Sequence, residues 1–207
     1  MLISYNPDLH LFFDEMVIFL TSAAALQRMA GVQGRGKAAP YKPDDRIIFE
    51  GTPSLTNVEI RFAPHPVLEA LVKGEWPSLI EIEKEDLPPR PKRKKTHTRP
   101  GLPENVLHRL ARQAFVSYFE KALRESESVF PPEVNFWPDM WRFGKVVRDA
   151  LLDECRIRFT GKEPVRWKGL NFFPEDEGRL LELKPADIFC LMEDLNTSHM
   201  FFHSLNG

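Results

Sequence analysis

The 207 residues hold 28 Lys and Arg against 30 Asp and Glu, a net charge of −2, with 43% hydrophobic and 28% charged side chains. That balance excludes wholesale disorder, and it excludes an overall field that steers the chain to nucleic acid or an anionic membrane. Two cysteines in apolar surroundings, Cys155 and Cys190, exclude a disulfide framework and fit a reducing, intracellular and cytoplasmic setting.

Asp8 to Ala30 reads as one long helix, introduced by Asn6-Pro7-Asp8 and closed by Gly31. Its uncharged run, Met16 to Gln27, is too short to span a bilayer. Asp8, Asp14 and Glu15 precede it, where a secretion signal needs positive charge. No membrane association is therefore expected. Apolar residues surround most of this helix, which suits a core position or a homo-oligomer interface.

Gly31 to Asp45 reads as a loop. Arg46–Glu50 and Asn57–Phe62 alternate apolar and polar residues and predict a hairpin across Gly51-Thr52-Pro53-Ser54. Pro66–Lys73 predicts a short helix with proline in its first turn, and Leu79–Glu83 a strand.

Residues 87–103 break the pattern with five prolines and six basic residues. Proline restricts itself and its predecessor to extended conformations, so the stretch reads as a stiff, solvated spacer. It divides the chain into segments 1–86 and 104–207, which either fold separately or share one core.

Beyond it, Glu104–Glu127 predicts an amphipathic helix and Pro138–Glu154 another, with Trp137, Trp141, Phe136 and Phe143 as core fillers. Arg156–Phe159 and Val165–Asn171 predict a hairpin turned by Thr160-Gly161-Lys162-Glu163. Arg179–Leu183 reads as a strand and Pro185–Leu195 as the closing helix. The fold class is α+β: long helices packed on short antiparallel hairpins.

The strongest local signal is Arg90, Lys92, Arg93, Lys94, Lys95 and Arg99, six cations within ten residues. With those six removed from a net −2, the rest of the chain carries −8. Such a run neutralises phosphates without reading sequence. No aromatic residue interleaves it, which argues against base stacking. Pro91-Lys92-Arg93-Lys94-Lys95 also resembles a nuclear localisation signal, implying a nuclear address in a eukaryotic host. Pro88 to Arg93 resembles a proline-rich ligand for an SH3-like groove. The bland alternative is a spacer kept extended by its own charge.

Gly31 to Lys37 spells a phosphate-loop pattern that ends in Ala38 instead of the Ser or Thr that holds magnesium. It also follows a helix rather than a strand, so nucleotide hydrolysis is not expected.

Glu182-Leu183-Lys184 resembles the Glu-x-Lys element of the restriction-endonuclease-like nucleases. The resemblance implies that Glu182 and an Asp, here Asp176, share a divalent metal while Lys184 assists an attacking water. It covers few positions, and Asp176 lies only six residues earlier, inside a turn. His199 and His203, spaced i, i+4, could join Cys190 or Cys155 in a zinc site, although the cysteines stand 35 residues apart.

No nucleophile elbow, zinc-protease pair or dinucleotide-binding glycine pattern occurs, and no cofactor is expected. The leading expectation is a non-catalytic binding or regulatory protein that contacts nucleic acid or an acidic protein through Arg90 to Arg99. A metal-dependent nuclease and a homo-oligomeric scaffold are the alternatives.

Overall fold

A computed structural model describes residues 1–35, 40–88, 102–126, 130–159, 161 and 163–206, with only the backbone course given for 31–35, 102 and 202–206. The fold is α+β. Four short strands, β1 (Leu2–Tyr5), β2 (Ile47–Glu50), β3 (Val58–Phe62) and β4 (Ile80–Asp86), form an antiparallel sheet in the order β1-β4-β3-β2. Period-two alternation sends Ile47, Phe49, Val58, Ile60, Phe62, Ile80 and Ile82 to one face, where all are buried. The opposite face carries Glu59, Glu81, Glu83 and Glu85. There Arg61 bridges Glu59 (2.5 Å) and Glu85 (2.9 Å), and Arg46 pairs with Glu83 at 3.3 Å.

Two long helices, α1 (Phe13–Arg35) and α5 (Pro185–Asn206), cover the apolar face, and a third, α3 (Leu102–Ser126), packs against both. Glu15 of α1 accepts from the Ser117 hydroxyl at 3.0 Å, and the Lys121 ammonium reaches back to Leu11, so α1 runs antiparallel to α3. It is antiparallel to α5 as well, because Phe19 packs on Phe189 while Leu11 bonds Asn196. The short α2 (Pro64–Val72) rests on α1. Helix α4 (Asp139–Leu152) crosses α3 and α5 at Gly144, whose absent side chain admits Phe119 and Leu195. A second ribbon, β5 (Val165–Trp167) and β6 (Leu170–Phe172), closes over α4 through Phe143, stacked on Phe172 at 5.3 Å.

The buried residues form one continuous core spanning both sides of residues 87–103. Phe19, Phe49 and Phe189 meet with centroids 4.8–6.4 Å apart, and Phe12 meets Tyr118 edge-on at 5.7 Å. No helix among the described residues is long and apolar enough to cross a membrane.

Several boundaries differ from the sequence reading. Strand β1 was not anticipated; its four residues are too short to show a period and depend on pairing with β4. Asn6-Pro7-Asp8 does not open the helix, because the Asn6 side chain accepts from the Leu9 amide at 2.9 Å and closes a separate turn. Helix α1 instead starts at Phe13 and runs through Gly31 to Arg35, within the stretch read as loop.

The second hairpin is shorter and lies later than expected. Lys168, at φ 49°, and Gly169 turn β5 into β6, while Arg156 bridges Leu180. Trp141 and Phe143 are fully buried and Trp137 partly, but Phe136 is exposed in a 3-10 turn. Helix α5 extends through the tail to Asn206.

Candidate polyanion-binding pole

Both ends of segment 89–101 are tied to one end of the molecule. On the entering side, the Leu87 amide donates to the Asn57 carbonyl at 2.8 Å, and the Asn57 side-chain amide donates back to the Leu87 carbonyl. Asn57 sits at φ 47°, a left-handed conformation that asparagine tolerates better than most residues. On the leaving side, His108 in the second turn of α3 hydrogen bonds to the Leu183 backbone, just before α5.

Asp187 holds these pieces together. It is the third residue of α5 and fully buried. Its Oδ1 accepts from the Thr52 amide at 2.9 Å and the Thr56 hydroxyl at 2.5 Å. Its Oδ2 accepts from the Thr52 hydroxyl at 2.5 Å and the Lys184 amide at 2.9 Å. The last contact is the carboxylate half of a capping box, with Pro185 at the first helical position. Four donors supply what a buried carboxylate loses on leaving water. Gly51 is required beside it, since a Cβ there would stand 2.1 Å from Thr56 Oγ1 and 3.2 Å from Asp187 Oδ1. Because Asp187 occupies the first turn of α5, that helix start is not itself an anion site.

Cations and carboxylates both lie around this hub, Arg112 and Lys184 among Glu104, Glu182 and Glu50. Arg112 lies one turn after His108 on α3, and the half-buried Lys184 ammonium reaches the Gly51 carbonyl at 3.4 Å. Burial, then Arg112 and Lys184, hold the His108 imidazole below its ordinary value of 6.5, outweighing Glu104 and the Leu183 hydrogen bond. A neutral imidazole beside two fixed cations is a group that an approaching anion would charge.

The expected site residues fall as follows. Arg90, Lys92, Arg93, Lys94, Lys95 and Arg99 lie outside the described residues, as does Lys37. Asp176 closes its own 3-10 turn: Oδ2 accepts from the Phe173 amide at 2.9 Å and Oδ1 pairs with Arg179 at 3.0 Å, and these hold its carboxyl below the usual range. Glu182 is exposed between the buried Leu181 and Leu183, and Lys184 turns to the β2–β3 loop.

Cys190 and His199 both lie on α5, nine residues apart, which places them on opposite sides of the helix. Cys190 is buried beside Lys84 and Glu193, where burial pushes its thiol up to about 11. His199 packs against Trp141, and the side chain of His203 lies outside the described residues. Cys155 is a buried free thiol. Among the described residues, no group of three or more His, Cys, Asp or Glu is placed to hold a metal ion.

Sequence reasoning missed Asp187, Thr52, Thr56 and His108. Asp187 had a legible signal, an acidic residue two positions after a helix-opening proline. The two threonines had none, because only tertiary contact brings them to Asp187. No family model, curated protein or solved structure matches the chain.

Proposed function

We propose that the chain is a non-catalytic binding protein that contacts nucleic acid through Arg90, Lys92, Arg93, Lys94, Lys95 and Arg99. One observation carries the reading. In an otherwise acidic chain, the run of six cations lies between Leu87 and His108, both of which are held at one pole, where Lys184 and Arg112 also stand. Contact is with phosphates rather than bases, since no aromatic residue lies among the charges. An acidic protein would offer the same chemistry.

The test is binding of the purified chain to mixed DNA and RNA oligonucleotides, and to polyglutamate, over a salt series with and without magnesium. Salt-sensitive oligonucleotide binding that disappears when the six residues become Gln supports the proposal. Preference for polyglutamate transfers the site to an acidic protein partner. Magnesium-dependent cleavage abolished by Glu182→Ala replaces the reading with the nuclease one, and unchanged binding in the six-residue variant removes it.

Self-association through α1 is a second reading. Ile18 and Met29 are 54% and 65% exposed on that helix, and the exposed Trp76 bonds Asp14, one turn before Ile18, at 3.0 Å. A monomer in sedimentation at micromolar concentration rejects it.

A further inference from the structure

The sheet order β1-β4-β3-β2 leaves β2 at one edge, with β3 as its neighbour on a single side. The phase of that ladder follows from one bond. The Gly51 amide donates to the Val58 carbonyl at 2.8 Å, and in the same register Phe49 stands opposite Ile60 and Ile47 opposite Phe62. Main-chain groups of an antiparallel pair bond the neighbouring strand at alternate residues. Ile47, Phe49 and Gly51 therefore bond β3, and the N–H and C=O of Ile48 and Glu50 point away from it, toward the edge.

Sheets commonly blunt such an edge with proline, lysine, a bulge or an inward charge. Strand β2 has none of these. It reads Ile-Ile-Phe-Glu in an unbroken register, and Ile48 stands 53% exposed on the face opposite the core. At the other edge, β1 turns Leu2 and Ser4 outward, and neither carries a charge that would set a register.

The β2 edge is complementary to itself. A second copy laid antiparallel about a two-fold axis at Ile48 sets Ile48 opposite the partner's Ile48. The same axis sets Arg46 opposite the partner's Glu50, and symmetry repeats that pair. Arg46, Ile48 and Glu50 are all exposed, on one face of the sheet. An axis at Arg46 or Glu50 would oppose like charges, and one at Ile47 or Phe49 would lay Ile48 against a charge. Arg46 also has a donor to give. Its Nε bonds Glu83 at 3.3 Å, and its Nη1 bonds the Pro43 and Asp45 carbonyls at 2.8 and 3.1 Å. Its Nη2 has no partner among the described residues. The Glu83 pair is solvent-exposed on both sides, and such pairs restrain a side chain weakly.

We propose that the chain forms a two-fold dimer through β2, with Ile48 on the axis and Arg46 paired to the partner's Glu50, which joins two four-stranded sheets into one. The interface is distinct from the basic segment and from the exposed side of α1.

A strand edge this short buries less than a standard interface, so the dimer should dissociate at roughly 100 μM. Sedimentation velocity across that range should show a reversible monomer–dimer equilibrium that salt weakens. Ile48→Lys should weaken it at least about tenfold, as should Arg46→Glu or Glu50→Arg alone. Combining Arg46→Glu with Glu50→Arg should restore it, because the opposed charges are again opposite. Ile18→Lys, on α1, should change nothing. A measurement on the unaltered chain stands beside the variants: amide exchange at Ile48 should slow as concentration rises. A chain that stays monomeric at about 1 mM overturns the proposal. So does exchange at Ile48 that is independent of concentration, a dimer that survives Ile48→Lys, or a folded double exchange that stays monomeric.

Discussion

Thr52 is bound twice to Asp187 across 135 residues of chain, through its amide at 2.9 Å and its hydroxyl at 2.5 Å. The pair fastens the β2–β3 loop to the start of α5. Since that loop also holds Leu87 and α3 touches the residues before α5, one carboxylate organises the pole from which the basic segment emerges.

Asp187→Ala strands two amides and two hydroxyls and should cost about 2–3 kcal/mol in urea unfolding. Thr52→Ala should cost about 1 kcal/mol. The double variant should lose clearly less than the sum, because both changes remove the same contacts. Strict additivity would show that the two residues are not coupled.

Gly144→Ala places a Cβ 2.7 Å from Phe119 Cε2 and 3.2 Å from a Leu195 methyl, both in the core. Alanine favours helix by about 1 kcal/mol over glycine, but overpacking costs about 1–3 kcal/mol. The expected net effect is a lowered Tm. A raised Tm would show that α4 can move away from α3 without penalty.

His108 gives stability a pH dependence of definite sign. Its folded value lies below its ordinary 6.5. As pH falls through 6.5, the unfolded chain therefore takes up the proton first, and stability falls until the folded imidazole also titrates. His108→Gln should flatten this part of the pH–stability curve. A bound polyanion would raise the His108 value by offsetting Arg112 and Lys184, so oligonucleotide affinity should rise as pH drops through the same range. An affinity that is level with pH in the wild type would separate His108 from the site.

The salt series yields a number as well as a direction. If all six cations between Arg90 and Arg99 neutralise phosphates, log K should fall with log salt at a slope of about −5. Changing Lys92, Arg93 and Lys94 to Gln should bring it to about −3. A slope unaffected by these changes would place the phosphate contacts elsewhere.

Much of the fold was legible in the sequence. Strand β3 alternates strictly and β2 does so except at the exposed Ile48, while α3 and α4 carry apolar residues at helical spacing, so periodicity located them. Strand β1 was not legible, because Leu2–Tyr5 becomes a strand only by pairing with β4. The β5–β6 hairpin was placed too early, because the Thr160–Glu163 turn residues were as persuasive as Lys168-Gly169, and contacts with Phe143 and α4 favour the latter. At the candidate pole the basic run was plain in the chain, whereas its anchoring was not.

By itself the sequence determined the α+β class, the positions of most helices and strands, and the concentration of positive charge between Arg90 and Arg99. These follow from residue type and local spacing, which act within a few positions of the chain. The tertiary structure alone decided that the core is continuous across residues 87–103 and that Thr52 and Thr56 close on Asp187. Those depend on contacts between residues more than a hundred positions apart, which come together only when apolar faces are buried and each buried polar group must find its partner.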